Sequence, residues 1–189
     1  MTWLAERWLV WRGWRFVGVV PDLPKMLIVG GPHTSNWDFV VFLGAIRHWH
    51  MSPSYIGKHT LFRWPFGWFF KRLGGIPVDR RRPGGLVAQV AEAFDATDRM
   101  ILVISPEGTR KAVPYWKSGF VKIAERTGAP IVPAYISYEN KEVALGQPIS
   151  FDGDEKKLMD EMRPFLARGD GRNPEGEGPV RLKSEQGPS

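Results

Sequence analysis

The residues best able to do chemistry are His33 and Asp38, five positions apart in GGPHTSNWDF, Gly30 to Phe39. The histidine follows a Gly/Pro turn. The aspartate falls in the first turn of an expected helix, whose start can fold the carboxylate back onto the imidazole. An aspartate there is held ionised by free amide donors and by the helix dipole. It can accept one ring N–H, fix the tautomer and leave the other ring nitrogen as a base. The chain has no G-x-S-x-G elbow and no Cys, so a serine or cysteine nucleophile finds no local support. The nucleophile such a pair can serve is a hydroxyl of the substrate. Taken alone, H-x-x-x-x-D also fits a surface histidine beside a helix-capping aspartate.

A second group of polar residues follows the apolar run MILVI: SPEGTR, Ser105 to Arg110. Loops after strands of an α/β sheet are where ligands gather. Gly108 allows close backbone approach, Glu107 and Thr109 supply hydrogen bonds, and Arg110 can fork onto a phosphate. GGIPVDRRR adds Arg80, Arg81 and Arg82 after another short strand. Each piece singly also fits a polar turn or a solvated basic run.

These residues need elements to hold them. KMLIVGG, SYIGKH, GGIPVDRRR, MILVI and PIVPAYIS read as strands. Helices are expected from NWDFVVFLGAIRHWH, from residues 60–72 and 84–97, from WKSGFVKIAERTG closed by Gly128, and from DEKKLMDEMRPFLARG. In the first of them Phe39, Phe42, Leu43 and Ile46 share one side, and Ser35 or Asn36 can cap it. Alternating strands and helices predict an α/β fold: a single domain with a largely parallel central sheet flanked by helices, preceded by an N-terminal amphipathic Trp-rich helix. The expected division is an interfacial helix over 1–20, the main domain over 21–168 and a disordered tail over 169–189, the last because it is polar, Gly/Pro-rich and aperiodic.

The chain has 189 residues, 43% of them hydrophobic, with nine Trp and eleven Phe. That is enough for one core, with aromatic mass to spare. Its net charge of +6 favours anionic partners: nucleic acid, an anionic membrane or a phosphorylated substrate. No window reaches the roughly 18 uncharged apolar residues of a membrane-spanning helix. Glu6, Arg7, Arg12 and Arg15 break any signal-peptide core, so Met1 onward is read as mature protein. Trp3, Trp8, Trp11 and Trp14 among those arginines fit a helix lying in a membrane interface, a Trp-rich core helix being the alternative.

In order, these pieces resemble the PlsC-like glycerolipid acyltransferases. His33 and Asp38 match H-x-x-x-x-D; Gly75 and Arg80 match G-x-x-x-x-R; Pro106, Glu107, Gly108, Thr109 and Arg110 match P-E-G-T-R; Val132 and Pro133 match the late apolar block. The resemblance spans about residues 26 to 137. The chain departs from the family's usual pattern at Pro32, Ser105, Pro77 and Val78, all beside the chemical groups, which leaves the acceptor's identity open.

The resemblance implies an O-acyltransferase, with His33 and Asp38 catalytic and Lys58, Gly75, Arg80, Glu107, Gly108, Thr109 and Arg110 binding substrate. A fatty acyl group would pass from acyl-CoA or acyl carrier protein, as co-substrate, to the free hydroxyl of a lysophospholipid such as 1-acylglycerol-3-phosphate. No cofactor or metal is implied. The expected partners are a lysophospholipid acceptor, the acyl donor and a membrane surface with anionic lipids, with no nucleic acid. The expected location is peripheral or monotopic on the cytoplasmic face, with FRWPFGWFF helping the N-terminal helix into the headgroups. The rival reading is a non-catalytic basic protein that binds lipid surfaces or nucleic acid.

Overall fold

The computed structural model describes residues 2–64, 67–72, 74–78 and 85–186. The chain runs through α1 (Thr2–Trp11), β1 (Arg15–Val17), β2 (Lys25–Gly31), α2 (Trp37–His48) and β3 (Ser54–Lys58). It continues through α3 (Gly67–Arg72), β4 (Gly75–Val78), α4 (Gly85–Asp95), β5 (Met100–Ile104), α5 (Gly119–Thr127), β6 (Ile131–Ser137), β7 (Glu142–Leu145) and α6 (Glu155–Leu166). The strands form one seven-stranded sheet in the order β1-β7-β6-β2-β5-β3-β4. Every pairing is parallel except β6 with β7. The expected α/β architecture is borne out.

β2 lies at the centre because it is apolar on both faces. Met26 to Val29 are all buried, as a parallel strand covered on each side requires. Its alternation sends Leu27 and Val29 into the larger core, with Phe94 of α4, Phe120 and Ile123 of α5, and Met159 and Met162 of α6. Met26 and Ile28 face the opposite way, joining Val132 and Leu145. On that side Leu9 of α1 packs with Val41 and Ala45 of α2.

Several expectations are corrected. The N-terminal helix stops at Trp11, and β1 follows where helix was expected up to residue 20. Gly13, at φ 83°, ends it, and Trp14 turns inward to become buried while Trp3, Trp8 and Trp11 stay exposed. The helix expected over 60–72 is a 3-10 turn, His59–Phe62, followed by the short α3. The buried face of α2 is Asp38, Val41, Leu43, Gly44 and Ala45, not the Phe39/Phe42 stripe, and Phe39 is exposed. β1 and β7 carry no sequence signal of their own; both are short, β1 at the sheet edge and β7 between it and β6.

Residues 169–186 are not the disordered tail that the composition of 169–189 predicts. They pack against the domain: Leu182 is fully buried, Trp116 N–H donates to the Arg181 carbonyl at 2.8 Å, and Arg163 pairs with Glu185. Their glycines mark close approach. A Cβ on Gly178 would stand 2.3 Å from the Val113 carbonyl oxygen, and one on Gly176 2.8 Å from that of Arg110. Gly/Pro content here reflects tight packing of irregular backbone, which aperiodic composition cannot distinguish from disorder.

Candidate active site

Parallel pairing puts the C-terminal ends of β2, β5, β3 and β4 at one edge of the sheet. The turns leaving β2 and β5 carry His33 and the Ser105–Arg110 segment, residues more than seventy positions apart in the chain. Open α/β sheets place their ligand crevice at this edge.

The turn after β2 is built around the Asp38 carboxylate. Its Oδ2 accepts the Thr34 and Ser35 amides, each at 2.9 Å, and also lies 2.9 Å from His33 Nδ1. Its Oδ1 accepts the Tyr138 hydroxyl at 2.7 Å. The helix start is therefore capped from within by Asp38, while Asn36, at the cap position, makes no side-chain capping bond. Ser35 adds a weaker bond through its hydroxyl to the Trp37 amide at 3.2 Å. Burial raises the Asp38 pKa, but the bonds from His33, Ser35 and Tyr138 outweigh it and hold the group below its ordinary value. An ionised Asp38 only accepts, so Nδ1 of His33 carries a proton, and in the neutral ring this leaves the lone pair on Nε2.

Glu107 reaches the same turn from β5. Its Oε2 accepts the His33 backbone N–H at 2.9 Å, and the residue is buried. Burial pushes its pKa up, the His33 interactions lower it, and the nearby Asp38 and Glu177 carboxylates raise it again. Gly31 leaves room for it: a Cβ there would sit 3.1 Å from Glu107 Oε1. The carboxylate thus ties the two strand ends together.

Below His33 an apolar cavity of about 280 Å³ runs between the sheet and α2, lined by Phe39, Val41, Phe42, Ala45, Val103 and Leu145 among others. His33 and Asp38 are among its lining residues, as is Ser105, whose buried hydroxyl has no hydrogen-bond partner among the described residues. Such a space suits a hydrocarbon chain whose polar end stops at His33.

A model of the acyltransferase family matches residues 19–137. The chain belongs to the acyltransferase family. This membership bears out the resemblance carried by the four motifs. A 1-acyl-sn-glycerol-3-phosphate acyltransferase of Streptococcus pneumoniae is 27% identical over 154 residues, covering 75% of this chain and 56% of the relative. The chain therefore spans about half the length of that curated relative. The 1-acyl-sn-glycerophosphate (LPA) acyltransferase PlsC of Thermotoga maritima shares the fold, with TM-score 0.62 at 19% identity over 88% of this chain and 75% of that one.

The family's motif residues fall as follows. His33, Asp38 and Glu107 meet in one hydrogen-bonded cluster. Gly108, at φ 65°, forms the turn that carries exposed Arg110, and the Thr109 hydroxyl accepts the Lys111 amide at 3.4 Å rather than meeting His33. Gly75 opens β4 beside Tyr55. Lys58 ends β3, its side chain lying outside the described residues, as Arg80, Arg81 and Arg82 do entirely. Among the described residues no cluster of three His, Asp or Glu could hold a metal ion. Tyr138 escaped sequence reasoning, since a tyrosine one hundred positions from Asp38 leaves no local pattern.

Proposed function

We propose that this chain transfers a fatty acyl group from acyl-CoA or acyl carrier protein to the free hydroxyl of a lysophospholipid such as 1-acylglycerol-3-phosphate. The observation carrying this reading is the His33–Asp38 pair, 2.9 Å apart, at the mouth of an apolar cavity. His33 Nε2 takes the proton of the acceptor hydroxyl as its oxygen attacks the thioester carbonyl. The tetrahedral oxyanion collapses, the C–S bond breaks, and the thiolate leaves with the proton returned from the imidazolium. Asp38 holds the ring and balances its transient charge. No covalent enzyme intermediate and no cofactor is needed. The acceptor phosphate is assigned to Arg80 and Arg110, with Lys58 as a further cation and the Glu107–Thr109 turn shaping the pocket around them.

The acceptor is a lipid, and the surface fits delivery from a bilayer. Trp3, Trp8, Trp11, Trp37, Trp64 and Trp68 are all exposed; Trp8 stacks on Trp37 at 5.7 Å, linking α1 to the start of the catalytic helix. Arg7 and Arg12 lie over Trp3 and Trp8. Among the described residues no helix is long and apolar enough to cross a membrane. We read the protein as peripheral or monotopic on the cytoplasmic face, where both acyl donors occur, attracted to anionic lipid by about 1 kcal/mol per basic group near the surface.

The deciding experiment is an acyl-transfer assay of the purified chain against a panel of lysolipids, with labelled acyl-CoA and acyl carrier protein. Transfer to a phosphate-bearing lysolipid that disappears in His33→Ala supports the reading. Absence of transfer to every acceptor, from a folded protein on anionic vesicles, overturns it.

A further inference from the structure

The family match ends at residue 137, yet the donor that completes the Asp38 shell comes from the next residue. We propose that Tyr138, clamped by Asp170, is a positioning residue for the acyl transfer, fixing the Asp38 carboxylate and limiting how strongly it draws on the His33 ring. The inference rests on the catalytic reading above.

Asp38 has two oxygens in different surroundings. Oδ2 meets His33 Nδ1 and the Thr34 and Ser35 amides, whereas among the described residues Oδ1 meets only the Tyr138 hydroxyl. The amides fix one oxygen, but rotation about the carboxylate is stopped only when the second is held. Tyr138 does this from the far side of the turn. Its ring stands edge-on to buried Trp14 at 5.2 Å and 88°, so the hydroxyl has little freedom. Its pKa is raised, by burial first and then by the bond to Asp38, so it remains a donor across the neutral range.

The clamp on Tyr138 comes from the segment whose composition predicted disorder. Asp170 Oδ1 accepts the amides of Tyr138 and Glu139, each at 2.8 Å, and Oδ2 accepts the Ser137 hydroxyl. Three residues further on, Asn173 Nδ2 donates to the Thr34 carbonyl at 2.8 Å, bracing the catalytic turn from the same side. Two stretches outside the family match thus hold its base pair.

The charged groups facing this cluster, among the described residues, are Glu107 from the β5 turn with Glu177 near it, Asp170 behind the Tyr138 backbone, and Arg172. Arg172 lies over the Trp37 ring at 4.9 Å and acts on Tyr138 as a nearby positive charge. Among the described residues, Tyr138 is the one side chain besides His33 that hydrogen-bonds Asp38. Removing its hydroxyl leaves Oδ1 without a donor. More of the carboxylate's charge then acts on the imidazole, favouring the protonated ring, and the pair is less firmly oriented.

Tyr138→Phe keeps the ring against Trp14 and deletes only the hydroxyl. We expect kcat to fall about ten-fold with the acceptor KM nearly constant, and the acid limb of the kcat–pH profile to move to higher pH. A histidine ring-proton NMR titration, with His33→Ala as the assignment control, should show the His33 midpoint moving the same way; this readout does not depend on turnover. Asp170→Ala should lower kcat in the same sense. Asp170→Asn should retain most activity, because the amide oxygen can still accept both backbone N–H groups. An unmoved His33 midpoint in folded Tyr138→Phe overturns the inference, and so does Asp170→Asn as impaired as Asp170→Ala. Loss of wild-type transfer overturns the catalytic reading instead and leaves the midpoint test standing.

Discussion

The two faces of the sheet are filled to different ends. On the α4–α5–α6 side, Phe94, Phe120, Ile123, Met159 and Met162 are almost wholly buried and form one continuous core. On the α1–α2 side the apolar residues divide into two smaller clusters around a cavity of about 280 Å³. Both faces are apolar, so hydrophobicity does not separate them. What does is that close packing was achieved on one and a space was kept on the other, with His33 and Asp38 at its mouth.

The largest effect that would sharpen this contrast is chemical. His33→Ala should lower kcat by about 1,000-fold while shifting the melting temperature by no more than about 2 °C, because the ring is half exposed on a turn. Asp38→Asn should be comparably inactive but also less stable, since four donors converge on the carboxylate. The sign follows from its lowered pKa. Its stabilisation is present above the ordinary value of 3.8 and lost as pH falls through the lower folded value, so chemical denaturation of wild type and Asp38→Asn should converge in strong acid. Near-normal turnover in either folded variant would break the catalytic half of the comparison.

Next comes a direct test of the two faces. Phe120→Ala, in the filled core, should cost about 3–5 kcal/mol by urea denaturation. Phe42→Ala, on the cavity wall, should cost clearly less, because part of its surface already borders empty space. Equal losses would mean the α2 face is an ordinary core.

Ala45 lies in the cavity lining, two turns along α2 from Asp38. Ala45→Leu should shorten the space and reduce kcat/KM for long acyl donors about ten-fold relative to short ones, measured across a chain-length series. A uniform change at every chain length would place the acyl chain elsewhere.

The smallest effect concerns Glu107, which accepts the His33 amide. Glu107 is buried with a raised pKa, so its ionised form costs stability at neutral pH. Glu107→Gln, which can still accept the His33 amide, should raise the melting temperature at pH 7 by about 2–4 °C. The gain should fade as pH is lowered and wild-type Glu107 becomes protonated, because a carboxyl with a raised folded pKa favours the folded state as it gains its proton. Differential scanning calorimetry at several pH values reads both signs.

What the amino-acid order determined by itself is local. Short apolar runs specified the central strands, the one of β2 ending in Gly30 and Gly31, Gly128 closed α5 in a left-handed conformation, and the spacing of His33 and Asp38 within one turn and helix start made their contact legible. Tertiary structure decided the rest. It brought the β2 and β5 turns together, since parallel pairing between β2 and β5 joins segments whose order in the chain carries no mark of their adjacency. It decided which side of α2 is buried: Phe39 is as apolar as Val41 and Ala45, yet it is exposed while they are buried against α1 and the sheet. It also turned Trp14 inward while leaving Trp11 exposed, and it ordered residues 169–186 by fitting glycines into gaps too narrow for a side chain. The bond from Tyr138 to Asp38 is of this second kind, for a hydrogen bond across one hundred residues depends on where the sheet and the tail place two side chains, and no local pattern encodes that distance.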